Sequence, residues 1–179
     1  MKIETERLII RSYKDEDKKE SLLFLGDEDT RYFLPEDVFT LDKVSEFIEK
    51  QNEKEEYFAV ELKETKKVIG HLYFTAFFGD HSYEIGWVFA KEVQNNGYAF
   101  EAASAIMAYG FEQKNYHRII ATCQPENKGS YKLMEKLGMR QEAYFKQCIP
   151  VKDGWWDELY YAILSSEWPG LNEVMSQKG

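Results

Sequence analysis

Cysteine, proline and histidine are scarce in this sequence: its 179 residues hold two, four and three of them. Long apolar runs are missing too. A membrane helix needs about 18 or more consecutive apolar residues, and nothing here approaches that. The opening Met1-Lys2-Ile3-Glu4-Thr5-Glu6-Arg7 lacks the apolar core of a signal peptide, so neither export nor membrane anchoring is expected. Cys123 and Cys148 have no Cys-x-x-Cys spacing and no nearby His pair; they read as reduced, packed thiols, which points to the cytoplasm. His71, His81 and His117 are scattered without the i, i+4 spacing of a metal site, so no metal is expected. Nor is there a basic stripe: Lys+Arg 23 against Asp+Glu 32 gives a net charge of −9. That balance opposes general attraction to nucleic acid or anionic lipid and suits a cationic ligand. With no repeat, low-complexity stretch or Pro/Gly/Ser-rich linker, the chain reads as a single domain over residues 1–179, with a core at about 3–165 and a peripheral tail from Trp168.

What is present is an ordinary globular composition, 44% hydrophobic and 31% charged. Glu4 to Ser12 alternate as a strand does, and Asp15-Glu16-Asp17 offers a helix start before Leu22-Leu23-Phe24-Leu25 and the stop at Gly26. Thr40 caps a second, amphipathic helix carrying Leu41, Val44, Phe47 and Ile48 on one stripe. Three successive antiparallel strands are expected at 57–62, 68–74 and 83–89. The Ala-rich run Tyr98 to Phe111 reads as a mostly buried helix, followed by a strand at 118–123 and a helix from about Lys128 to Leu137 closed by Gly138. Two more strands are expected around 141–147 and 158–164. The fold class is therefore α/β, with a mixed, mostly antiparallel central sheet flanked by helices and a strand-helix-strand unit at its centre.

The most informative segment is Val93-Gln94-Asn95-Asn96-Gly97-Tyr98-Ala99, between a strand and the long helix. First-turn helix amides lack internal partners and carry the positive end of the dipole, so a loop that bares them binds phosphate. The segment has neither the Gly-Lys-Ser/Thr of a P-loop nor the three glycines of a dinucleotide fingerprint; alone, it reads more readily as a polar turn before a helix. A second segment follows the next strand: Asn127-x-x-Ser130-x-x-Leu133-x-x-x-Leu137-Gly138-Met139.

Together, in this order and spacing, the two segments resemble the GNAT acetyltransferase family over roughly Ile3 to Leu164. Thr5-Glu6-Arg7-Leu8-Ile9-Ile10-Arg11 and Tyr83-Glu84-Ile85-Gly86-Trp87 resemble its branch containing the ribosomal-protein N-terminal acetyltransferases. The resemblance implies acetyl-CoA as cofactor, with pyrophosphate on the amides of Gln94, Asn95, Asn96, Gly97, Tyr98 and Ala99. It implies splayed central strands, with the edge at Trp87, Val88 and Phe89 pairing with the pantetheine arm. Asn127 would bond that arm and Ser130 would lie near the thioester sulfur, although both residue types also serve as helix caps.

In this family an amine attacks the thioester directly. Glu84 is the candidate base: strand alternation puts it on one face with Gly86 and Val88, among residues that would partly desolvate it. A rim carboxylate paired with Lys or Arg is the other reading. The amide near Val88 is a candidate oxyanion donor. Many members carry a Tyr seven residues after the motif Asn as thiolate donor; here Met134 stands there, leaving Ser130 as the candidate, with Tyr131 or water behind it. Ile149 occupies a place where some branch members have a carboxylate. Trp155 and Trp156, in what resembles a turn over 153–157, either wall the acceptor cleft or cover the core. Phe24, Tyr32, Phe33 and Phe39 are candidate acceptor-pocket residues, with core packing the alternative. The expected reaction is acetyl transfer to a primary amine, foremost a protein N-terminal α-amine. A small cationic amine such as a polyamine or aminoglycoside, or a silent acyl-CoA-binding module, are alternatives; monomer and homodimer both remain open.

Overall fold

The computed structural model describes residues 1–176. The chain opens on two short strands, β1 (Lys2–Glu4) and β2 (Leu8–Arg11), rather than the one strand expected from 4 to 12. Local chemistry makes the reversal: the Leu8 amide donates to Thr5 Oγ1 at 2.9 Å and the Thr5 amide to the Leu8 carbonyl at 3.0 Å, so Thr5-Glu6-Arg7 closes a tight turn. The helix expected from Asp15 starts as a 3-10 turn at Asp15–Asp17 and becomes α1 at Lys18–Leu25. Asp17 does not cap it, because its carboxylate accepts from the buried Arg11 guanidinium at 2.7 and 2.9 Å. Arg11 also holds Glu61 at 2.8 Å; removing one partner from such a buried group costs about 3–5 kcal/mol.

Thr40 caps α2 (Leu41–Glu53), its Oγ1 accepting from the Lys43 amide at 3.4 Å. The antiparallel succession then follows as β3 (Tyr57–Leu62), β4 (Lys67–Phe78) and β5 (Ser82–Phe89). Helix α3 (Tyr98–Ala108) widens into one π turn over Tyr109–Gln113 before β6 (Arg118–Cys123). Helix α4 (Lys128–Lys136) leads to β7 (Arg140–Val151) and β8 (Gly154–Leu164). These two strands outrun the expected spans: Pro150 pairs with Trp155 and Val151 with Gly154, so the reversal is only Lys152 and Asp153, and Gly154 to Asp157 belong to β8. Beyond them, Trp168 packs on Phe111 at 5.5 Å and the short α5 (Leu171–Ser176) sends Val174 into the core edge.

The eight strands of the described residues form one sheet in the order β1-β2-β3-β4-β5-β6-β8-β7. Each face has its own core. Phe58 and Val60 of β3 join Leu8, Ile10 and Ile106 on the α3 face, while Ala59 between them joins Phe24, Val44 and Ile48 on the α1 and α2 face. Cys123 is buried, but Cys148, expected to be packed, is exposed: it lies where register shifts on the edge strand β7 between Phe145 and Ile149.

The one parallel pairing positions the site. β5 and β6 pair only through Ser82–Glu84 with Arg118–Ile120. Beyond those residues the strands part, and the β5 edge from Ile85 to Phe89 faces an opening instead of a neighbour. Gly70 brings β4 hard against that segment; a Cβ there would sit 2.4 Å from the Val88 carbonyl oxygen.

Candidate active site

A cavity of about 1060 Å³ fills the opening between β5 and β6 and continues under the loop joining α1 to α2. One end is made mostly of backbone. Asn95 and Gly97 adopt left-handed φ values of 62° and 77°, turning the 94–97 loop back so that Gly97 caps α3. The first helical bond runs from the Glu101 amide to the Gly97 carbonyl, so the amides of Tyr98, Ala99 and Phe100 are the first-turn donors without intrahelical acceptors. Gln94 and Asn96 spend their side chains on the loop itself: Gln94 donates to the Phe89 carbonyl at 3.0 Å, and Asn96 to the carbonyls of Val93 and Gln94 at 3.1 Å each. Gln94, Asn95, Gly97, Tyr98 and Ala99 line the cavity; Asn96 lies behind them.

Arg7 buttresses this loop. Its Nη1 donates to the Asn96 carbonyl at 2.9 Å, its guanidinium lies 4.4 Å above the Tyr98 ring, and its Nε donates to Glu101 at 2.7 Å. Glu101 is fully buried in α3 and also accepts from Thr5 Oγ1 and the Arg7 amide, at 2.6 and 2.9 Å. Burial pushes its carboxyl up, but these hydrogen bonds from Thr5 and Arg7 outweigh it and hold the pKa at about 2.

Trp87, Val88 and Phe89 line the cavity from the open β5 edge, and Asn127 and Ser130 from the start of α4. Asn127 caps α4 by accepting from the Ser130 amide at 3.2 Å; its side-chain NH2 has no acceptor among the described residues. Ser130 faces Cys123, whose thiol burial pushes up to about 11 while the Ser130 hydroxyl draws it down. Met134 is buried core and has no proton to give, and Tyr131 lies outside the cavity lining. Lys132 and Lys136 of α4 add positive charge to the lining.

The other end is made of side chains. Glu84 lies there on the face of β5 that carries Gly86 and Val88, with no Lys or Arg ion pair among the described residues. Burial raises its pKa, and the like charge of Glu158 raises it further. Glu158 of β8 lines the same space; burial raises its pKa against a hydrogen bond with Thr122 that lowers it. Ile149, on β7, lines the wall without a carboxylate. Tyr57, His71 and Tyr73 floor this end, and Phe33 and Phe39 roof it. His71 is neutral, its pKa pushed down to about 3 by burial and by Arg31, and its Nδ1 lies 2.9 Å from the Tyr13 hydroxyl. Phe24 is core, Tyr32 is exposed, and neither Trp155 nor Trp156 belongs to the lining.

Residues 7–140 match the family described as acetyltransferase (GNAT) domain. This chain belongs to the GNAT acetyltransferase family. It is 49% identical over 169 residues to the uncharacterized N-acetyltransferase YnaD of Bacillus subtilis, covering 94% of this chain and 99% of that protein. A GNAT-family acetyltransferase from Bacillus anthracis superposes with a TM-score of 0.90 at 48% identity, over 93% of this chain and 100% of the other. The [ribosomal protein uS5]-alanine N-acetyltransferase of Escherichia coli is 30% identical over 117 residues, 64% of this chain and 60% of that one.

As a GNAT enzyme the chain is an acetyl-CoA-dependent N-acetyltransferase, and its cavity fits that ligand. Bared helix amides and two lysines suit phosphates, while an open strand edge beside an unused Asn127 amide suits an extended amide-bearing arm. Sequence reading missed Glu158, Arg7 with Glu101, and Arg31. An acid inside the apolar run Trp155-Trp156-Asp157-Glu158-Leu159-Tyr160-Tyr161, and a lone Glu in the alanine-rich helix, were the available signals for two of them.

Proposed function

We propose that this GNAT enzyme acetylates a primary amine, foremost the α-amine of a protein N-terminus, with Glu84 as general base and Ser130 at the leaving group. The observation that carries this reading is Glu84 itself: a carboxylate without a cationic partner among the described residues, half-buried at the strand opening, its proton affinity raised by burial and by Glu158. Likeness to the uS5-alanine acetyltransferase over part of the chain supports a peptide acceptor. The carboxylates of Glu36, Glu84 and Glu158 around the cavity favour a small cationic amine as second reading.

Acetyl-CoA, when bound, supplies the thioester carbonyl. Glu84 takes a proton from the acceptor ammonium, directly or through water. The freed amine forms the new N–C bond as the C–S bond breaks. A backbone amide near Val88 is the proposed donor to the carbonyl oxygen. Ser130, beside the sulfur position, relays a proton to the thiolate. Two protons leave the nitrogen, one ending on the thiol and one in solvent, so Glu84 and Ser130 finish as they began. The proposed compartment is the cytoplasm; no helix among the described residues is long and apolar enough to cross a membrane.

Release of free thiol from acetyl-CoA, measured against peptides with free N-termini, the same peptides N-terminally blocked, and polyamines, tests this. Turnover of the free peptides alone is expected. Turnover of polyamines alone moves the acceptor to the second reading, and saturable CoA binding without turnover of any amine makes the chain a silent binding module.

A further inference from the structure

Arg31 is a poor fit to a purely cationic acceptor. It sits in the α1 to α2 loop with 6% of its surface exposed, and it lines the acceptor end of the cavity. A guanidinium brings five N–H donors, yet among the described residues it has one ionic contact, Nη2 to Glu36 at 3.3 Å. Its face lies 4.6 Å over the Phe39 ring, and its Nε is buried with no hydrogen-bond partner among the described residues. Burial of an under-paired guanidinium is costly. Glu36 compensates weakly, because its own side chain is two-thirds exposed at the rim. Other neighbours do not neutralise it: Asp29 is paired with Lys91, Tyr57 carries a phenol whose pKa burial raises, and His71 is neutral. Glu84 and Glu158, the carboxylates proposed to meet the amine, line the same cavity but form no ion pair with Arg31 among the described residues.

We infer that Arg31 is an anion anchor for the acceptor, binding a carboxylate that the acceptor carries besides its amine. The inference rests on the acetyltransferase reading and narrows it to acceptors with both groups. The carboxylate has two chemical sources, an acidic side chain near the N-terminus of a peptide or the α-carboxylate of a free amino acid. In either case it displaces Glu36 toward solvent and gives the guanidinium a charge-assisted, fork-like partner.

The experiment titrates matched ligands into the CoA-bound protein by calorimetry and follows thiol release with acetyl-CoA in parallel. One arm compares peptides carrying Glu or Gln at the second or third position, the other free amino acids with their amides. Binding at least tenfold tighter for the carboxylate member of a pair is expected, and the arm that responds names the source. Arg31→Gln abolishes that preference while leaving CoA affinity unchanged, and Arg31→Lys restores part of it. Glu36→Gln, at an exposed position that does not burden folding, strengthens carboxylate binding severalfold by removing the competitor, which a merely structural Arg31 would not allow. Equal binding of both members in both arms, or a preference that survives Arg31→Gln, overturns the anchor. Absence of thiol release from every acceptor, with an Arg31-dependent preference in binding, instead overturns the acetyltransferase reading and leaves the anchor standing.

Discussion

The two ends of the cavity are built from different materials. At the α3 end the chain offers its backbone: a loop turned by Asn95 and Gly97, helix amides, and a strand edge left open beyond Glu84. Side chains there mostly hold the loop in shape, as Gln94, Asn96 and Arg7 do. At the other end, Arg31, Tyr57, Tyr73, Glu84 and Glu158 come from four different strands and a loop to set shape and charge. An invariant ligand is well served by backbone, which substitutions at most positions leave alone. An acceptor that differs between enzymes calls for side chains, which substitution rewrites.

If this contrast holds, damage to loop shape should impair CoA binding alone. Gly97→Val forces a β-branched residue into the left-handed region at a cost of about 1–3 kcal/mol; calorimetry should read CoA binding weakened roughly ten- to hundredfold. Arg7→Ala, which frees the loop without touching the cavity's acceptor end, should weaken CoA about tenfold with little change in kcat at saturating acetyl-CoA, and Arg7→Lys should recover part of the loss. A fall in kcat with unchanged CoA affinity would break the division of labour.

The same network predicts an acid limit. The Glu101 carboxyl titrates lower in the folded protein than in the unfolded chain, so its contribution to stability is complete above the ordinary value of 4.5 and is lost as pH falls toward about 2. Thermal unfolding of Glu101→Gln should accordingly show a shallower loss of Tm across that window. At the acceptor end the smallest effect is expected from Glu158→Gln. Removing that like charge lowers the pKa of Glu84, so the acid limb of the pH–rate profile should move to lower pH. An immobile limb would uncouple the two carboxylates.

The contrast also explains what was legible in the sequence. Glycine, helix-start and capping residues fall at fixed local spacing, so 94–99 and 127–130 could be singled out as a pair, as could the order of strands and helices around them, although 94–99 alone also reads as a polar turn. The acceptor end depends on which distant strands become neighbours. Glu84 was readable because alternation places it on a face, whereas Glu158, at the start of an expected strand, reaches the cavity only because β8 lies beside β6, with Leu159 paired to Cys123. Arg31 lies in an irregular loop of local turns, with no periodicity to say which way its side chain faces. The opening hairpin was hidden because Thr5 and Arg7 look like strand residues, although the Thr5 hydroxyl and the Leu8 amide close the turn locally; what no local pattern shows is their shared partner Glu101, 96 and 94 residues away.

The most direct test of the central claim is one substitution measured two ways, Glu84→Gln titrated with CoA and assayed for thiol release on an accepted amine. CoA affinity equal to wild type with turnover reduced about 10²–10⁴-fold is the predicted result. Turnover preserved with an unchanged pH–rate profile, or CoA affinity lost along with it, would contradict the account.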